Sequence, residues 1–233
     1  MAKAHLMDEE KVAAHALVSI AAPFIIKQDR DGLAEKLRES WSPDCLRLLL
    51  TSPDLEVVKT AAHCLGLVGD MDDSPALTDL LGHEHPLVVD MAEDALWSIW
   101  FRAGGPIGQA VLYRIARSIR EGDTKNSATM LTELIKSSPS FAEAHHQRGQ
   151  AHYLLAEYTS TLRDARRAAE LNPCHFASFA LMGHAQSGLG RYEEALKAYR
   201  EALRIYPRMA GIRDSIQQVR SRLNVFGAAT APA

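Results

Sequence analysis

The chain has 233 residues, 47% of them hydrophobic and 24% charged, with a formal net charge of −3; that is enough length for one or two cored domains of ordinary globular composition. The average hides an asymmetry: residues 1–103 hold 9 Lys+Arg against 18 Asp+Glu, net −9, whereas residues 104–233 hold 17 against 11, net +6. Two modules with different surfaces follow, and the acidic first half argues against a nucleic-acid footprint there.

The first apolar stretch, Val12–Ile26, follows Asp8, Glu9 and Glu10 and is interrupted by His15 and Pro23. A secretory signal has a basic flank, and a membrane span has about 20 unbroken apolar residues, so the stretch predicts a core-facing helix and no membrane partner. Leu33–Ser40 continues the helical pattern. Ser52–Asp70 and Gly82–Trp100 then form a weak internal copy, with Val57/Val88, Val58/Val89, Ala61/Ala92 and Leu65/Leu96 each 31 apart. Within each copy these residues recur at helical spacing, the stripe of a packed helix. Pro53 and Pro86 suit first-turn positions, and short partner helices are predicted around Asp44–Leu50 and Ser74–Leu81.

Ala103-Gly104-Gly105-Pro106 stops one helix and starts another. Beyond it, Ala142–Pro173 and Phe176–Pro207 align without a gap: Gly149/Gly183, Tyr158/Tyr192, Ala168/Ala202 and Pro173/Pro207 are each 34 apart. A fixed period of this size marks stacked helical hairpins, each unable to bury its apolar face alone. One step back, Ile115, Gly122, Leu134 and Pro139 outline a degenerate third copy over Gly108–Pro139. Ile212, Ile216, Val219 and Leu223 make an amphipathic helix that covers the last apolar face. From Phe226 the tail, reading GAATAPA, has too little apolar content to pack.

These patterns resemble two families. The D/H-L-x-V-V-x-x-A-A-x-x-L pattern over about 42–101 resembles HEAT-like repeats of the short bacterial, lyase-type kind. The second half resembles the tetratricopeptide family through Phe179, Met182, Gly183, Gly190, Tyr192, Ala195, Tyr199, Ala202 and Pro207. Together the resemblances imply an all-α solenoid: a HEAT-like domain over 1–103, a tetratricopeptide domain of about three repeats plus a cap over 107–225, and a disordered tail over 226–233. Tetratricopeptide stacks commonly bind extended peptides or partner helices on their concave wall. The wall maps to Gln109, Leu112, Tyr113, Glu143, His146, Gln150, Tyr153, Ala180, His184 and Ser187. The lysine, asparagine and arginine clamp that a subset of the family uses for C-terminal carboxylates is replaced by His146, Gln150, Ala177 and Leu181, so a partly apolar peptide or amphipathic helix fits better than an anionic tail.

Cys45, Cys64 and Cys174 have neither CxxC nor zinc-ligand spacing and read as small buried hydrophobes in a reducing cytosol. His83-Glu84-His85 precedes Pro86 in a turn, where the side chains do not converge as ligands one helical turn apart do. His145 and His152 read as buried, hydrogen-bonded histidines. The arginines of the second half, among them Arg163, Arg166 and Arg167, read as solvated faces, with an acid-binding surface as the alternative. Neither a phosphate loop, a GxSxG elbow nor HExxH occurs, and no cofactor or metal is expected. The expected function is a non-enzymatic cytoplasmic scaffold or adaptor with a protein or peptide partner. One alternative is a HEAT-like lyase or lyase-chaperone for a tetrapyrrole-type ligand, with Trp97 and Trp100 lining its groove. Another is a self-assembling structural repeat protein, a homo-oligomer joined through its exposed terminal repeats.

Overall fold

The computed structural model describes residues 2–229, apart from the side chains of 2–11, 13, 120 and 225–229. Among these residues there are thirteen α-helices and no strand, the all-α class that the periodicity implies. The chain divides into two compact units, Met1–Trp100 and Phe101–Ala233. No helix among the described residues is long and apolar enough to cross a membrane.

The first unit is built around one apolar helix. Its elements are α1 (Ala2–Lys27), α2 (Arg30–Ser40), α3 (Pro43–Leu49), α4 (Leu55–Val68), α5 (Ser74–Asp79) and α6 (Pro86–Arg102), with 3-10 turns at Met71–Asp73 and Leu80–Gly82. Helix α4 packs against α1, α2 and α3 and buries Val57, Val58, Ala61, Ala62, Cys64 and Leu65. Its neighbours offer matching stripes: Ala14, Leu17 and Ala21 on α1, and Leu33 and Leu37 on α2, are buried at helical spacing. Gly66 lets α4 approach α6, for a Cβ there would stand 2.8 Å from the Ala95 Cα. Polar side chains close the helix ends. Asp29, Ser42 and Asp54 cap α2, α3 and α4 by accepting from backbone N–H groups. Pro86 opens α6 as expected, whereas Pro53 precedes the Asp54 cap and lies in the turn rather than the first helical turn.

In the second unit each helix packs on its sequence neighbours: α7 (Gly105–Arg120), α8 (Thr124–Ser137), α9 (Ala142–Leu154), α10 (Tyr158–Leu171), α11 (Phe176–Gly188), α12 (Tyr192–Ile205) and α13 (Ile212–Ala229). The first helices of successive hairpins also touch, α7 on α9, α9 on α11 and α11 on α13, which is solenoid stacking. Small residues sit where helices meet. Gly183 faces the Tyr199 ring so closely that a Cβ would lie 2.4 Å from it. The hairpin turns share one backbone feature: Gly122, Ala156 and Gly190, spaced by the 34-residue period, all have positive φ, of 85°, 58° and 72°. The covering helix is α13, which places Ile212 and Val219 in the core beside Tyr199 and Ala202. It runs through Ala229, into the segment expected to be an unpacked tail; residues 230–233 lie outside the described residues.

Candidate functional site

The helices α7, α9 and α11 carry the side chains expected to wall a groove. At the start of α11 the backbone needs a cap, and His175 supplies it: its Nδ1 accepts from the Ser178 N–H at 3.2 Å. That acceptor role leaves the ring proton on Nε2, which donates to Glu143 Oε2 at 2.9 Å. Glu143 Oε1 accepts from Gln147 Nε2 at 2.6 Å. The Ser178 hydroxyl sits between two rings, 3.1 Å from His175 Nδ1 and 3.0 Å from His146 Nδ1. Glu143, His175, Ser178 and His146 are all essentially inaccessible.

Serine, histidine and glutamate in this order have the composition of a nucleophilic relay, but a relay must meet its substrate. Here Ser178 is sealed between α9 and α11, and its neighbour's Nδ1 is already engaged by backbone. The network serves as a joint between hairpins. Burial drives both rings towards neutrality, holding His146 and His175 down to about 3, with the His175 ring adding to the effect on His146. Burial pushes the Glu143 carboxyl above its usual range, opposed by His146 and the Gln147 amide.

This joint corrects part of the expected wall. Glu143 and His146 are buried at the α9–α11 contact, because the first helices of the hairpins touch directly and the network occupies the gap. Ala180 is buried in the cluster containing Leu196, Tyr199 and Ile212, and Leu112 in the one containing Ile115, Leu131 and Phe141. None of these four lines an open groove. Tyr113 is 61% exposed and tilts against Phe101, while Gln109, Gln150 and Ser187 are half-buried. The structure brings Tyr153 and His184 together, with ring centroids 6.0 Å apart. Tyr153 also meets Tyr158 at 5.7 Å, and His184 Nδ1 lies 2.8 Å from the Tyr199 hydroxyl. Burial lowers the His184 imidazole and raises the Tyr199 hydroxyl to about 12, Tyr153 adding to the rise and Ser215 opposing it.

Of the two histidines expected to be buried, His145 is buried and His152 only half-buried, because its partner Glu157 lies at the surface. His145 is buried with Nε2 3.0 Å from the Pro139 carbonyl, and His152 Nδ1 lies 2.6 Å from Glu157. His175 and Ser178 were not singled out from the sequence. The signal is a capping side chain followed three residues later by a serine, His-x-x-Ser after Asn172-Pro173, which reads as a helix start rather than a site.

Family models match at both ends of this architecture. HEAT repeats match residues 8–97, and tetratricopeptide repeats match residues 110–140 and 177–209. Models of two repeat families thus match successive parts of the chain, HEAT repeats first and tetratricopeptide repeats second. The chain is 35% identical over 75 residues to the Protein SGT1 homolog of Oryza sativa subsp. japonica, covering 32% of this chain and 20% of that protein. It is 33% identical over 79 residues to the small glutamine-rich tetratricopeptide repeat-containing protein 2 of Saccharomyces cerevisiae, covering 34% and 23%. The chain thus spans about a fifth of the length of these curated relatives. In fold it is similar to the Sgt2 TPR domain from Aspergillus fumigatus, at 14% identity and TM-score 0.52, covering 55% of this chain and 87% of that one.

The HEAT-repeat unit holds a cavity of about 400 Å³ whose lining includes Ile25, Arg30, His63, Leu87, Met91 and Asp94. Burial and the Arg30 charge hold the His63 imaidazole below its ordinary value, against Asp94. Neither Trp97 nor Trp100 belongs to this lining. Trp100 is core, its indole N–H donating to the Ser74 hydroxyl at 3.2 Å, and Trp97 packs edge-on against it at 5.2 Å. His83 and His85 share a turn in which the His83 ring accepts from the His85 backbone at 3.0 Å. No group of three or more His, Cys, Asp or Glu among the described residues is arranged to hold a metal ion.

Proposed function

We propose that the chain is a protein-interaction adaptor that seats an apolar or amphipathic peptide segment on the first helices of its tetratricopeptide hairpins, centred on Tyr153 and His184. The observation that carries this reading is the pairing of those two half-buried rings from α9 and α11. Aromatic groups with a polar edge favour such contacts, because they bury large area while keeping a hydrogen-bonding handle. Tyr113 on α7 extends the same first-helix series. The positions that a carboxylate clamp would use support an apolar partner. His146 is locked into the internal joint and Leu181 is buried, which leaves no lysine or arginine at the matching places. The sequence match to the SGT1 homolog and to the yeast tetratricopeptide protein supports the interaction class, not a particular client.

The test is a peptide-display selection against the full chain, followed by titration of the selected peptides. Tyr153→Ala and His184→Glu each weaken capture by about tenfold or more while the helical circular dichroism is kept. Unchanged affinity in both variants sinks this surface as the seat.

A further inference from the structure

Helix α10 presents a second feature, away from the Tyr153–His184 pair. A cavity of about 560 Å³ is lined by Arg148, Arg163, Arg166, Arg167 and Arg191 against only Asp164 and Glu170, an excess of three positive charges. The two acids are already engaged. Asp164 takes a two-pronged bond from Arg148, 2.7 Å on each oxygen, and Glu170 accepts from Arg167 at 3.2 Å. Arg163 reaches only 3.8 Å from Asp164. Arg166 and Arg191 have no ion pair among the described residues, and both are exposed.

A second observation lies in the same lining. His145 is 7% exposed and spends its Nε2–H on the Pro139 carbonyl, so its Nδ1 carries a lone pair that no described group satisfies. Burial keeps this ring below its ordinary value, against Pro139 and Asp164. A cavity with guanidinium groups on its rim and a stranded acceptor beneath them suits a ligand carrying both negative charge and N–H donors. A hydrogen phosphate ion offers charge and an O–H donor as well, so the spacing of the guanidinium groups has to favour a longer chain. The spacing agrees: Arg163 and Arg166/Arg167 stand one helical turn apart, about 5 Å along α10, a ladder that follows an extended chain rather than enclosing one small ion. Leu162 and Thr159 add uncharged groups to the lining.

We propose that this α10 cavity binds an acidic peptide segment, a run of Asp and Glu supplied by a partner protein. Carboxylates of the segment pair with Arg163, Arg166 and Arg191, and the groove at Tyr153 and His184 remains independent of it. Such rim contacts act mainly through association rate and are salt-sensitive.

The experiment is fluorescence anisotropy of a labelled octa-glutamate peptide titrated with the full chain at low and at physiological salt. Saturable binding that weakens with salt is expected. Arg163→Glu with Arg166→Glu loses about tenfold or more, whereas Arg200→Glu with Arg220→Glu, the same charge change outside the cavity, loses less than about twofold. Equal losses in both double variants mean diffuse attraction and overturn the proposal. Displacement by inorganic phosphate at an ionic strength where sodium chloride has no effect identifies a small-anion site and also overturns it. So does a mass by light scattering that rises with concentration and falls back in the Arg163/Arg166 variant, because the acidic half of a second copy is then the occupant. Tyr153→Ala retains octa-glutamate binding, which separates failure here from failure of the adaptor surface.

Discussion

His175 and Glu143 meet at 2.9 Å between neighbouring hairpins, both wholly buried, and the bond has a direction: His175 Nε2 donates and the carboxylate accepts. The same ring caps α11 through its other nitrogen, so one side chain sets both where a helix begins and how it joins the preceding hairpin. His146 adds a second ring 4.5 Å away, tied to the same serine.

The first prediction is a pH dependence. The folded-state values of His146 and His175 are held to about 3, below the ordinary 6.5. The unfolded chain therefore binds more protons than the folded one between those limits, and stability is lost as pH falls from 6.5. Glu143 is shifted upwards and acts with the opposite sign, so the two histidines outnumber it. Unfolding free energies from urea titrations should drop between pH 7 and pH 5 by roughly 1 kcal/mol per pH unit for each histidine, less the opposing Glu143 contribution. His146→Gln with His175→Asn, which keeps a capping acceptor, should flatten that slope. A slope equal to that of the unaltered chain rules the joint out as its source.

Ala156 occupies a turn position that is glycine in the copies before and after it, at φ 58°. A β-carbon in the left-handed region costs about 1–2 kcal/mol, of which the extra freedom of glycine in the unfolded chain offsets only about 0.4–1 kcal/mol. Ala156→Gly should raise the thermal midpoint by about 1 kcal/mol equivalent, despite the added chain entropy, and Gly190→Ala should lower it by a similar amount. Calorimetry decides both.

Gly183 supports the Tyr199 ring. Any Cβ there lies 2.4 Å from the ring carbon, and Tyr199 is itself nearly inaccessible. Gly183→Ala should cost about 1–3 kcal/mol through displacement of the ring and disturb the His184–Tyr199 bond. A chemical-denaturation midpoint within error of the unaltered protein contradicts this packing.

In the HEAT-repeat unit the buried Asp73 carboxylate accepts from the Asp70 backbone at 2.8 Å and pairs with Arg47. Asp73→Ala should cost about 1–3 kcal/mol through the buried acceptor lost from the Asp70 N–H, because Arg47 is a third exposed and keeps Asp44 as a partner. A variant melting with the unaltered protein means that the Asp70 N–H loses its acceptor without penalty.

Much of the fold was legible because small and large side chains recur in register. Gly149/Gly183, Ala168/Ala202 and Pro173/Pro207 mark hairpins in any 34-residue stack, and the Val-Val-Ala-Leu copies mark α4 and α6. The site was legible only in part. Tyr153 and His184 lie on first helices as expected, their mutual contact was not foreseen, and Glu143, His146, Leu112 and Ala180 proved internal. Helical spacing assigns a side chain to a face; it does not say how closely the next helix approaches that face.

What the sequence alone determined is the architecture, since local periodicity and turn residues act over a few helical turns. The tertiary structure decided which polar groups are spent on packing. His175 and Ser178 are remote from Glu143 and His146 in the chain, and only the stacking of α9 on α11 excludes water there, so that each group must satisfy another.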